Sequence, residues 1–162
     1  MNLFDHAMEQ EKHAENLYRD LARKAPDPGF ASILLMLADQ EVKHYDILRK
    51  MKDQSANLSY VETDILPDAK AAFEKMQSGL KKFDFSGTQL DLYQQAQQFE
   101  AQSRDFYTER AGEAETDLQK EIFVRLAEEE KRHYFLLDNI IEFLSGPETW
   151  LENAEFNHLD EY

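Results

Sequence analysis

Residues 37–48 read LADQEVKHYDIL, and residues 126–137 read LAEEEKRHYFLL. Each copy has Leu-Ala, then Glu-x-x-His-Tyr, then a closing Leu. Glu41 and Glu130 stand 89 positions apart, as do His44 and His133, so the copies keep one register. Carried outward, the same offset pairs Ala7 with Ala96, Glu11 with Glu100, Tyr18 with Tyr107, Ala22 with Ala111 and Ile33 with Ile122. Core-type residues, acids and tyrosines all recur. That is the signature of a duplicated helical hairpin whose halves pack about a pseudo-twofold axis.

Spacing supplies the helices. Phe4, Met8, Glu11, Glu15, Tyr18 and Ala22 alternate steps of four and three, the inward stripe of a first helix over about 3–23. Ala25-Pro26-Asp27-Pro28-Gly29 breaks that stripe. Asp27 before Pro28 reads as the N-cap of a second helix, antiparallel to the first because the link is short. On it Phe30, Leu34, Leu37, Glu41, His44, Leu48 and Met51 face inward. Beyond about residue 53 the chain has Pro67, Gly79 and Gly87 with a short helical piece at 68–77, and reads as a long crossover.

A third helix over about 88–111 turns Tyr93, Ala96, Glu100, Ser103 or Arg104, and Tyr107 inward. Thr116-Asp117-Leu118-Gln119 is a capping box opening a fourth. There Phe123, Leu126, Glu130, His133, Leu137, Ile140 and Leu144 form the stripe, and Gly146-Pro147 stops the helix. The predicted architecture is all-α: over 1–145, a four-helix bundle of two antiparallel hairpins joined by a long crossover. An amphipathic tail over 146–162 follows as a short helix or docking arm.

Counting from the short links gives the level of each polar residue. Glu11 lies 16 residues before Asp27, while Glu41 and His44 lie 14 and 17 after it. At ~1.5 Å per residue all three fall within a turn of one level. Glu100, Glu130 and His133 stand in the same relation to Thr116. Four glutamates and two histidines therefore converge at mid-bundle, framed by apolar stripes.

A Glu-x-x-His places a carboxylate and an imidazole on one helical face, within reach of one ion. Alone it says little, because 19 glutamates and 5 histidines in 162 residues make ~0.6 such pairs expected by chance. Glu155-Phe156-Asn157-His158 in the tail is one, with no partner at the 89-residue offset. At mid-bundle the setting differs. Four carboxylates in a small helical core cost several kcal/mol each if left charged and uncompensated. Two divalent cations balance them, and mixed carboxylate and imidazole ligands suit iron, with manganese or zinc as alternatives.

At these residues the chain resembles the ferritin-like superfamily, and within it a rubrerythrin-type domain without the rubredoxin domain, over about residues 1–145. The resemblance implies that Glu41 and Glu130 bridge two iron ions, that Glu11 and Glu100 are terminal carboxylates, and that His44 and His133 complete one ion each. Tyr18 and Tyr107 match the family's tyrosine seven residues after the helix-one glutamate, and are the candidate catalytic residues. No haem is expected, since Val42 stands where bacterioferritins carry the haem methionine. Gln97 and Ser103 flank Glu100 where rubrerythrins add a helix-three glutamate.

The implied activity is that of a non-haem di-iron oxidoreductase. It oxidises a diferrous centre with O2 or H2O2, as a ferroxidase or peroxidase, and takes electrons from an external donor. Ferritin- or bacterioferritin-like iron storage and detoxification is the alternative. A homodimer or small homo-oligomer fits the first reading and a many-subunit shell the second.

Composition narrows the partners. With 18 basic and 33 acidic residues the formal charge is −15, which repels nucleic acid and attracts cations. Cysteine is absent, so disulfides and thiolate metal centres are excluded. The first residues are charged, unlike a signal peptide, and no apolar run approaches the ~20 residues that span a bilayer. No membrane association and a cytoplasmic location are the expectations.

Several polar residues have plainer readings. Glu15, opposite Arg104 in the repeat, reads as a structural charge, and Glu128 and Glu129 as solvent-facing neighbours of Glu130. His6 and His13 read as an exposed pair, and Trp150 as an anchor for the tail.

Overall fold

The computed structural model describes residues 3–25, 28–53, 65–77 and 87–145. They form α1 (Leu3–Lys24), α2 (Pro28–Lys52), α3 (Leu66–Gln77), α4 (Gly87–Gly112) and α5 (Asp117–Ser145), with no strand among the described residues. The four expected bundle helices are α1, α2, α4 and α5. The crossover helix α3 starts two residues earlier than the sequence predicts. Proline costs nothing in a first turn, where its missing N–H has no intrahelical partner, so Pro67 sits inside the helix.

The α5 cap forms, with one change. Thr116 Oγ1 accepts the Gln119 N–H at 3.1 Å, while Gln119 Oε1 accepts the N–H of Glu115 at 3.4 Å, one residue before the cap. The Asp27 cap and the tail over 146–162, with Trp150 and the Glu155–His158 pair, lie outside the described residues.

Two apolar clusters fill the bundle. One joins Ile33, Leu34, Leu37 and Ala38 of α2 to Leu136, Leu137 and Ile140 of α5, with Tyr18 and Tyr93. The other joins Ile122, Phe123, Leu126 and Ala127 of α5 to Ile47, Leu48 and Met51 of α2, with Tyr107. Apart from Phe30, whose counterpart is Gln119, each buried α2 residue in one cluster has its 89-residue partner on α5 in the other. The sequence repeat is thus a spatial pseudo-twofold, and α2 and α5 run antiparallel across it. The mid-bundle level between the clusters is left to the polar residues.

Packing is extensive within each hairpin, α1 on α2 and α4 on α5, and much sparser between α1 and α4. α2 ends beside the second cluster and α4 begins near the first, so the crossover travels the bundle's length. With 25 residues in α2, that is ~37 Å at ~1.5 Å per residue. Ile65 and Ala69, at the start of α3, bury themselves against the first cluster.

Candidate metal centre

Glu11, Glu41, His44, Glu100, Glu130 and His133 meet between the two clusters, each at most 2% exposed. Their ligand-type atoms form two groups, Glu11, Glu41, His44 and Glu130 in one and Glu41, Glu100, Glu130 and His133 in the other. Within each group the atoms lie inside 4.8 Å of one another. Glu41 and Glu130 belong to both. The two histidine rings stack nearly parallel, 6.0 Å between centroids and 12° apart in plane.

Hydrogen bonding separates the four carboxylates by role. Tyr18 on α1 donates its O–H to Glu100 Oε1 on α4, and Tyr107 on α4 donates to Glu11 Oε1 on α1. Each tyrosine therefore serves the glutamate of the other hairpin. What remains without a well-formed hydrogen bond is Oε2 of Glu11 and Glu100, both oxygens of Glu41 and Glu130, and Nδ1 of His44 and His133, although His44 Nδ1 lies 2.7 Å from Glu130 Oε1. Buried polar atoms are rarely left unpaired, because each costs ~1–3 kcal/mol. Here eight are orphaned together, facing one another.

That set divides evenly. Each of two cations would receive one terminal oxygen, one oxygen from each shared glutamate and one imidazole nitrogen. The donor set of hard oxygen and imidazole nitrogen fits iron or manganese. The residues present fit a di-metal group.

Without a cation the charges accommodate one another by protonation. Burial, and then the charges of Glu11, Glu130 and Glu100, push Glu41 well above the usual carboxylate range. Burial and the charges of Glu100 and Glu11 do the same to Glu130. Burial also opposes ionisation of Glu11 and Glu100. The adjacent protonated Glu41 carboxyl and the His44 charge nevertheless hold Glu11 low, and Glu130 with His133 holds Glu100 at about 2. Against the burial penalty, Glu11, Glu129 and Glu41 keep His44 well above an ordinary histidine. Burial and the neighbouring carboxylates raise both tyrosines far above 10, so they remain neutral donors.

One reading of the sequence needs correction. Glu128 is exposed, but Glu129 is not: it is 4% exposed and its Oε2 lies 2.6 Å from Nε2 of His44. The signal was present, since residue 129 is three after Leu126 and four before His133, on the flank of the inward stripe. Glu15 ion-pairs with Arg19 at 2.8 Å and Lys12 at 3.0 Å, away from the centre. Gln97 turns to Asp138 at 3.0 Å. His6 and His13 are exposed and lie against Phe106 and Phe99.

The sparse seam between α1 and α4 opens into a cleft of about 330 Å³. His6, Gln10, Gln102 and Ser103 give it polar walls, Phe99 and Phe106 apolar ones, and Tyr107 lies along it. Tyr18, the symmetry mate of Tyr107, packs into the first apolar cluster with Ala14, Tyr93 and Ala96, as Tyr107 packs into the second. Ser103 of the cleft wall matches Ala14 in the repeat.

No described helix is long and apolar enough to cross a membrane. A family model described as Rubrerythrin matches residues 2–141. Comparison with curated proteins found no match, and comparison with solved structures found none either.

Proposed function

Because the chain belongs to the rubrerythrin family of ferritin-like di-iron carboxylate proteins, we propose that it is a di-iron oxidoreductase reducing H2O2 or O2 at the mid-bundle centre. The observation that carries this reading is the division of the eight orphaned atoms into two equal ligand sets with two shared glutamates. Glu11, Glu41, His44 and Glu130 would hold one iron, and Glu41, Glu100, Glu130 and His133 the other. Bound as a pair, iron supplies the two electrons that a peroxide bond takes up on cleavage.

The protein's part is positioning, proton supply and exclusion of bulk water. Reducing H2O2 to two waters consumes two protons as well as two electrons. Glu41 and Glu130, protonated when no cation is bound, give up their protons on loading, so the two protons consumed in the reaction come from solvent. Tyr107, donating to Glu11 beside the cleft, is placed to relay a proton between an oxidant and the terminal carboxylate. The cleft lining carries no acidic side chain in a chain of charge −15, which favours a small neutral oxidant. Tyr18 makes the same bond to Glu100 and orients it.

The test is anaerobic loading with ferrous iron, then O2 or H2O2 in parallel, following diferric absorption and oxidant consumed per iron. Rapid oxidation of two irons per chain by one oxidant is expected. Failure to oxidise with either would overturn the proposal.

A further inference from the structure

The centre is nearly two-fold symmetric, but its surroundings are not. Behind His44 stands Glu129, with its Oε2 2.6 Å from Nε2, while Nδ1 of the same ring faces Glu130 Oε1 at 2.7 Å and Glu11 Oε2 at 3.6 Å. The 89-residue partner of Glu129 is Gln40, buried at 2% exposure beside Glu41 as Glu129 is beside Glu130. By the repeat, the position that carries a carboxylate behind His44 carries a neutral amide in the other half.

The two side chains act differently on an imidazole. An ionised carboxylate only accepts, so Glu129 requires the proton on Nε2 and turns the Nδ1 lone pair toward the cluster. Its charge also makes the ring a stronger donor to a metal. An amide can donate or accept, leaves the tautomer less constrained and adds no charge.

Resting on the di-metal reading above, we propose that Glu129 is a positioning residue that makes the two metal positions unequal. The position of Glu11 and His44 binds a divalent cation more tightly and fills before that of Glu100 and His133. Outer carboxylates of this kind are worth about 10–100-fold in metal affinity, and a difference of that order is expected between the two steps.

The experiment is calorimetric titration of the metal-free full chain with Co2+, with the cobalt absorption bands read in parallel. The wild type should bind two ions in two resolved steps. Glu129→Gln should weaken the first step about 10–100-fold and bring it toward the second, with helical content unchanged by circular dichroism. Gln40→Glu should strengthen the second step, a gain that a merely structural role for Glu129 does not produce. His133→Ala should keep the tight step, and His44→Ala should lose it. Two equal sites in the wild type, or an unchanged first step in Glu129→Gln, overturns the inference while leaving the di-metal reading intact. A Glu129→Gln chain that does not fold passes the decision to Gln40→Glu, where an unchanged second step overturns it. Absence of any cobalt binding sinks both.

Discussion

Tyr107 of α4 donates its hydrogen bond to Glu11 of α1, across the seam between the two hairpins. The bond occupies one carboxylate oxygen and leaves the other turned toward Glu41, His44 and Glu130. On the proposed di-metal reading, the phenol leaves Glu11 one oxygen with which to bind a cation. Tyr107→Phe leaves that buried oxygen without its donor, at a cost of about 1–3 kcal/mol. For a chain of this size that is a fall of several degrees in melting temperature. If the cleft delivers the oxidant, Tyr107→Phe slows oxidation more than Tyr18→Phe does, although both remove the same kind of bond. Equal slowing in stopped-flow traces would count against a relay role for Tyr107.

On the proposed di-metal reading, Glu41 and Glu11 differ in how many ions they would serve. Removing a shared glutamate disturbs both positions, whereas removing a terminal one disturbs its own. Glu41→Ala should abolish tight binding of both cations, and Glu11→Ala should leave about one per chain. Metal content after equilibrium dialysis against Mn2+ distinguishes them, and identical stoichiometries would refute the bridging assignment.

The metal-free protein has an unusual pH dependence built into its core. Glu41, Glu130 and His44 are raised in the folded state, so their stabilisation is complete below their unfolded pKa values and is lost as pH rises through the folded ones. Glu11 and Glu100 are depressed, and their contribution is lost only as pH falls below the carboxylate range. Melting temperature of the metal-free chain should therefore fall between about pH 5 and about pH 8. Loading reverses the slope, because deprotonated ligands bind better as pH rises. A metal-free chain that gained stability across that interval would contradict the protonated centre.

Blocking the cleft tests access without touching a ligand. Ser103→Leu, or Gln10→Trp at the more open end, should slow H2O2-driven oxidation several-fold and leave two cations bound per chain. An unchanged rate in both variants would show that the oxidant enters elsewhere.

Local sequence determined most of the architecture. The stripes of Phe30, Leu34 and Leu37 and of Phe123, Leu126 and Leu137 specify helices and their buried faces through a 3.6-residue period. Short links make each hairpin antiparallel, and the 89-residue offset places six ligand-type residues at one level. These are properties of helical rise and periodicity, which adjacent residues carry by themselves.

What the sequence did not contain is how one hairpin meets the other. That Tyr18 serves Glu100 and Tyr107 serves Glu11, rather than each its own hairpin, depends on the seam between α1 and α4. The same is true of Glu129 reaching His44 from another helix, and of the cavity opening beside Tyr107. A repeat read in one dimension treats its two copies as equivalent. Packing in three dimensions breaks that equivalence, because single substitutions such as Ser103 for Ala14 and Gln40 for Glu129 act only where helices from different hairpins touch.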